Sequence, residues 1–282
     1  MAKRRDVMAK KVKKAFFTSK LAVVTGASSG IGKELSKILA NNFGMNVIGC
    51  ARNLEALYEV KREIDSMKST GSFEPYKLDV TNFDEVKKFG EFVSKKGQEL
   101  ALVISNAGQI LPFSKFENIE ISSVKKLMDV NFMGGVYLAN VFLPILKSSI
   151  LKSGFIVIGS SAGVIPISGE AFYSASKAAI TSFVRVLRAE NQNKNVYIGL
   201  MMPGMVDTAL FEKGGRDLPV WTKRFMTKAP KMASKIVKRI KCRKKESLIG
   251  MDAKLMKVCN VLFPRSFPRV VCKVLSKAGI YH

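Results

Sequence analysis

LAVVTGASSGIGKELSKILA, residues 21–40, decides how the chain folds. Residues 21–25 are a short apolar run of strand type. From Ile31 onward, Ile31, Leu35, Ile38 and Leu39 recur at helical spacing. Between the two, side chains are discarded at Gly26, Gly30 and Gly32. A strand that turns directly into a helix aims the unpaired N–H groups and partial positive charge of the first helical turn at one spot, which makes an anion site. Glycine there lets the backbone turn sharply and lets a phosphate approach without meeting a Cβ.

The same alternation continues outward. Strand-like runs lie at 46–51, 73–78, 100–105, 155–160, 196–201 and 247–250. Helical patterns fill 54–64, 84–93, about 122–146, 171–190 and 231–240. Apolar strands separated by helices predict a parallel sheet buried on both faces. The expectation is a single α/β domain, a doubly wound parallel sheet of Rossmann-like type with helices on both faces. Pro75 suits an edge strand, because it cannot donate to a ladder. Residues 1–19 are expected to be a basic tail, 20–250 the sheet domain and 251–282 a basic amphipathic extension. The stretch 203–230, with Pro203, Gly204, Gly214, Gly215, Pro219 and Trp221, follows a strand's C-terminal end. It reads as a lid over a ligand or as an ordinary surface loop.

Charge sits at the ends of the 282 residues. The net formal charge is +25, with eight Lys or Arg against one acid in residues 1–20 and 17 against two in residues 221–282. Basic ends suit a solvated tail, an anionic membrane surface, or an acidic partner or phosphate-bearing substrate. No nucleic-acid motif accompanies them, so nucleic acid is not an expected partner. No run of 18 or more apolar residues appears, and no membrane-spanning helix is expected. A cytoplasmic location is expected, with peripheral contact at a membrane surface as an option. Cys50, Cys242, Cys259 and Cys272 lack C-x-x-C spacing and read as reduced thiols. The only histidine is His282, which excludes histidine triads and histidine-ligated metal sites, and no metal is expected.

About twenty residues after the glycines, a dinucleotide site usually places an acid for the ribose 2′-hydroxyl. Here the second strand ends in Ala51 and Arg52. A guanidinium suits a 2′-phosphate, so NADP(H) is preferred over NAD(H).

TGASSGIG at 25–32, Asp79-Val80, NAG at 106–108, Asn131 in MDVNFMG, Ser160 in IGSSAG, YSASK at 173–177 and PGMVDT at 203–208, all in order, resemble the motifs of the short-chain dehydrogenase/reductase family over about residues 20–250. The resemblance implies that Gly26, Ser28, Ser29, Gly30, Ile31 and Gly32 form the cofactor turn. It implies that Asp79 and Val80 contact adenine, and that Asn106, Ala107 and Gly108 form the N-A-G segment after the fourth strand. Pro203, Gly204, Val206 and Thr208 would lie on the nicotinamide side. Asn131, Ser160, Tyr173 and Lys177 match the family's catalytic residues, with Tyr173 and Lys177 also touching cofactor. Y-x-x-x-K alone is weak, because six Tyr among 47 Lys and Arg would yield about one such pair by chance. Its placement, with Ser160 ending a strand run and Tyr173 opening a helix, carries the weight.

The residue types fit the chemistry. Hydride reduction of a ketone leaves an oxyanion that needs a proton. A phenol of ordinary pKa, roughly 10, exchanges protons poorly near neutrality. A lysine one helical turn away favours phenolate and corrects this. Ser160 can hold the substrate oxygen by a hydrogen bond. The resemblance gives the Asn131 position a supporting role in proton relay and implies a homo-oligomer, a dimer or a tetramer. The expected reaction is NADP(H)-dependent interconversion of a carbonyl and a secondary alcohol, on a small hydrophobic substrate of lipid, acyl or steroid type. The alternatives are a 3-oxoacyl carrier-protein type reductase and a non-catalytic nucleotide-binding sensor or interaction protein.

The extension holds a last pattern. Leu255, Met256, Cys259, Leu262 and Phe263 share one helix face, beside Lys254 and Lys257. Pro264 and Pro268 break the run, and a second apolar and basic segment starts at Val270. Such a segment packs against the domain, a lid or a second subunit, or it lies in a membrane interface.

Overall fold

A computed structural model describes residues 20–149, 151–213 and 226–277. Seven parallel strands form the main sheet: β1 (Leu21–Thr25), β2 (Asn46–Ala51), β3 (Ser72–Lys77), β4 (Leu100–Ser105), β5 (Ser153–Ile158), β6 (Val196–Pro203) and, last along the chain, β9 (Glu246–Ile249). Their spatial order is β3-β2-β1-β4-β5-β6-β9. The order reverses at β1, and the crevice at such a reversal is where open α/β sheets bind ligands. Val23 is in register with Ile48 on one side and Val103 on the other. Two short strands, β7 (Val206–Asp207) and β8 (Thr227–Lys228), pair separately. Pro75 lies in β3, which pairs only with β2 and is therefore an edge, as the missing N–H demands.

Each strand contributes to both faces, because successive side chains point oppositely. Ala22 and Val24 face one core, with α1 (Gly30–Phe43), α2 (Leu54–Ser66) and α8 (Ala229–Lys241) packed on it through Leu35, Leu39, Leu57 and Ile236. Leu21 and Val23 face the other, covered by α3 (Phe83–Ser94), α5 (Gly134–Ser148) and α6 (Ala171–Glu190) through Phe89, Phe142 and Val184. Burial on both sides is why the strands are apolar throughout.

The helix ends are written locally. Asn53 accepts the Ala56 N–H and starts α2, and Asn82 accepts those of Asp84 and Glu85 and starts α3. Gly44, with φ 61°, closes α1 by donating to Ala40.

The region 122–146 expected as one helix is α4 (Ile121–Met128), a π-helical turn at Asp129–Met133, and α5 in continuous succession. The 28-residue rod Ile121–Ser148 is long and apolar enough to cross a membrane by length and composition. Its stripe of Leu127, Leu138, Phe142 and Leu146 is buried inside the protein, which accounts for its hydropathy.

The stretch 203–230, expected as a lid or a surface loop, begins at the end of β6, and its described residues include β7, α7 (Ala209–Lys213) and β8. Gly214, Gly215, Pro219 and Trp221 lie outside the described residues, as do the N-terminal 1–19 and His282. After β9 the chain forms two helices, α9 (Met251–Leu262) and α10 (Phe267–Lys277). The Ser168 hydroxyl donates to the Pro268 carbonyl and ties the start of α10 to the loop before α6.

Candidate active site

The C-terminal ends of β1 to β6 open into one cleft of 1210 Å³. The glycine turn forms one wall. Gly26 and Gly30 have φ of 64° and 54°, which side chains rarely adopt. A Cβ on Gly32 would stand 2.2 Å from the Gly26 carbonyl oxygen, so the helix can begin beneath the turn only without one. Gly32 therefore lies behind the turn, whereas Gly26, Ser28, Ser29, Gly30 and Ile31 line the cleft. Ser29 is the α1 cap residue, yet its side chain makes no capping hydrogen bond. The first turn of α1 holds no acidic residue. The helix start thus presents N–H groups and no competing carboxylate.

The N-A-G segment braces this turn. Thr25, fully buried at the end of β1, accepts from the Asn106 and Ala107 N–H groups at 3.0 and 3.1 Å. Asn106 Nδ2 donates to the carbonyl oxygens of Thr25 (2.9 Å) and Gly26 (3.2 Å). Thr25 is the one polar residue in an apolar strand, and that contrast is the signal that could have marked it.

Arg52 is exposed on the wall at the end of β2. Asp79 and Val80 follow β3 on the same wall. Asp79 Oδ1 accepts from the backbone and hydroxyl of Thr81, and the Asp79 N–H donates to Glu85, so the loop is fixed from both sides. Cys50, buried behind them, has its thiol pKa raised, first by burial and then by the charge of Glu74.

The far end gathers the remaining residues. Ser160 follows β5, and its hydroxyl oxygen accepts the Ala162 N–H at 3.1 Å. Tyr173 and Lys177 stand one turn apart on α6. Ser160, Tyr173 and Lys177 all line the cleft. Lys177 Nζ lies 5.8 Å from the centre of the Tyr173 ring. Lys177 is 6 % exposed, and burial lowers its pKa from 10.5 to about 8. Desolvation penalises the ammonium, which near neutrality is still mostly charged.

Asn131 is placed differently. It sits in the π-helical turn, 4 % exposed, and its side chain is absorbed by the protein. Oδ1 accepts the Gln109 N–H at 2.7 Å. Nδ2 donates to the Gln109 carbonyl at 2.9 Å and to Ser176 Oγ at 3.0 Å. The extra residue of a π turn re-aims one side chain, and here it aims the amide at the strand-following loop. A Cβ on Gly108 would stand 3.5 Å from both Asn131 Oδ1 and Lys177 Nζ, so these two groups meet at that glycine.

Pro203, Gly204, Val206 and Thr208 also line the cleft. Their loop is held from the extension: Asp252 Oδ2 accepts the Met205 N–H at 2.7 Å. A Cβ on Gly204 would fall 2.2 Å from that carboxylate. Asp252 and the cleft-lining Met256, Val271 and Leu275 were not legible as site residues, because only the fold brings them there. A lone acid two residues after Gly250, in a basic segment, is the faint signal for Asp252.

The comparisons with known proteins agree with this geometry. The family model for short chain dehydrogenases matches residues 20–218. An uncharacterized oxidoreductase of Staphylococcus aureus is 34% identical over 194 residues, 68% of this chain and 80% of the relative. The NADPH-dependent 1-acyldihydroxyacetone phosphate reductase of Saccharomyces cerevisiae is 35% identical over 202 residues, 71% of this chain and 65% of the relative. An alcohol dehydrogenase from Thermococcus sibiricus, solved with 5-hydroxy-NADP, superposes with a TM-score of 0.72 at 24% identity, covering 82% of this chain and 96% of that one. A short-chain dehydrogenase/reductase from Burkholderia phymatum, solved with NAD, gives 0.75 at 20% identity, covering 88% and 92%. With a glycine turn braced by its N-A-G loop, a seven-stranded sheet in this order and a family model spanning most of its length, the chain belongs to the short-chain dehydrogenase/reductase family of oxidoreductases.

Proposed function

We propose that this oxidoreductase interconverts a carbonyl and a secondary alcohol with NADP(H), on a hydrophobic, lipid-like substrate. The observation that carries the reading is the buried ammonium of Lys177, one helical turn from Tyr173 on the wall of the cleft.

The residues present fit a dinucleotide. The glycine cradle and the start of α1 suit a pyrophosphate. Arg52 stands where an acid would select NAD(H), and its guanidinium suits a 2′-phosphate. The NADPH-dependent yeast relative points the same way. Bound, the nicotinamide supplies the hydride. The chain's own residues supply the proton and the placement.

Tyr173 donates its phenolic proton to the substrate oxygen as negative charge develops there, and in the reverse direction it withdraws it. Lys177, cationic near neutrality, stabilises the phenolate left behind. Ser160 donates a hydrogen bond to the same oxygen while its own oxygen is held by the Ala162 N–H. Asn131 acts as a positioning residue: it fixes Gln109 and Ser176, and through them the approach of the N-A-G loop to α6. The substrate end is apolar, with Leu210, Phe211, Met256 and Val271 on its wall, which suits an acyl or comparable chain.

The test is oxidation of NADPH, followed by absorbance, against a panel of aliphatic, acyl and steroid ketones. Tyr173→Phe is expected to lower turnover by about 10²–10⁴-fold and to leave NADPH binding, read by fluorescence titration, near that of the wild type. A Phe variant within a few-fold of wild-type turnover would refute the assignment.

A further inference from the structure

Eight of the fourteen large apolar side chains exposed among the described residues fall within residues 251–277. On α9, Met251, Leu255, Val258 and Leu262 recur every three or four residues and are 54–80 % exposed. Val261 and Phe263 continue the patch to the tip of the hairpin, and Val270 and Val274 extend it on α10. A helix surface of this kind in water marks an interaction site.

The opposite sides of the same helices are spoken for. Ala253 is fully buried, and Met256, Val271 and Leu275 line the cleft. Val274 does both, being 53 % exposed and on the cleft wall, so the patch runs up to the mouth of the cavity.

Charge selects the occupant. The segment 251–277 carries six Lys or Arg, at 254, 257, 265, 269, 273 and 277, and one acid, Asp252. Asp252 is engaged with the Met205 N–H. A second copy seated on this face would set one cluster of cations against another. Anionic headgroups would neutralise them while the apolar side chains enter the acyl boundary.

We propose that the α9–α10 hairpin seats the mouth of the cleft on an anionic lipid surface, so that a lipid-like substrate reaches the cavity from the bilayer side. The delivery step rests on the reading of the cleft given above; the docking itself does not.

The full chain is tested by co-sedimentation with vesicles of phosphatidylcholine alone and with about 30% phosphatidylserine. Binding to the anionic vesicles is expected to exceed binding to the neutral ones severalfold and to weaken in high salt. Lys254→Gln with Lys257→Gln is expected to lower the partition coefficient by about 25-fold, since each such charge near the surface is worth about fivefold. Leu255→Asp with Val258→Asp is expected to abolish binding. NADPH titration shows that each variant is folded. Equal binding to both vesicle types, or variants that bind like the wild type because residues 1–20 carry the attraction, would overturn the proposal. So would an apolar variant that changes only the oligomeric state by analytical ultracentrifugation, which would make a second copy the occupant. Turnover of a water-soluble ketone is expected to be unchanged in both variants, while turnover of a vesicle-borne ketone falls. If no ketone is turned over yet the vesicle results hold, the enzymatic reading fails and the docking stands.

Discussion

Replacing Lys177 by Met is expected to make the protein more stable and less active at once. The wild-type ammonium is buried, and its pKa falls from 10.5 to about 8 because burial penalises the charge. A lysine whose pKa is lower in the folded state destabilises the fold wherever the ammonium is charged in both states. That penalty is fully present below pH 8 and is relieved as pH rises from about 8 to 10.5. The shift corresponds to about 3 kcal/mol at pH 7 and to roughly half of that at pH 9.5. Methionine keeps the unbranched shape and removes the charge. Lys177→Met is therefore expected to gain up to about 3 kcal/mol at pH 7 and roughly half that at pH 9.5, read by denaturant unfolding of both proteins at each pH. NADPH-dependent turnover is expected to fall by at least about 10²-fold. A Met variant that is less stable than the wild type at pH 7, or whose advantage does not shrink toward pH 9.5, would refute the reasoning. Either result would mean that the ammonium is solvated or paired and not simply buried.

Three further substitutions probe the walls of the cleft. Arg52→Ala is expected to weaken NADPH binding by about 1.5–3 kcal/mol, the worth of a hydrogen bond to a charged group, and to leave NADH nearly unaffected; titration of the two nucleotides in parallel decides. Gly32→Ala forces a Cβ to within 2.2 Å of the Gly26 carbonyl. It is expected to cost about 1–3 kcal/mol in unfolding free energy and to impair nucleotide binding. Asp252→Asn leaves an acceptor for the Met205 N–H but not a charged one. Asp252→Ala removes the acceptor, and its effect on KM and kcat is expected to be the larger of the two.

Much of the molecule was legible without coordinates, because the information was local. Strand and helix periods act within a few residues, and most elements formed close to where their patterns lay, the exception being the 122–146 helix, which the π-helical turn at Asp129–Met133 interrupts. The residues at the strand ends were named through the family resemblance, and the doubly wound sheet brings them to one cleft. What stayed hidden was contact across long separations in sequence. Nothing near Asn131 announces that its amide is spent on Gln109 and Ser176, 22 and 45 residues away. The extension could be seen to be amphipathic, but periodicity alone does not say which face meets protein.

By itself the sequence determined the order of strands and helices, the glycine turn and the pairing of Tyr173 with Lys177, all set by spacing within single elements. Only the tertiary structure decided that Lys177 is desolvated, that Asp252 grips the Gly204–Met205 loop, and that α9 and α10 line the cleft with one side and expose apolar surface on the other. The physical reason is that burial, and every pKa shift that follows from it, is a property of what surrounds a residue in space, which the neighbours along the chain do not specify.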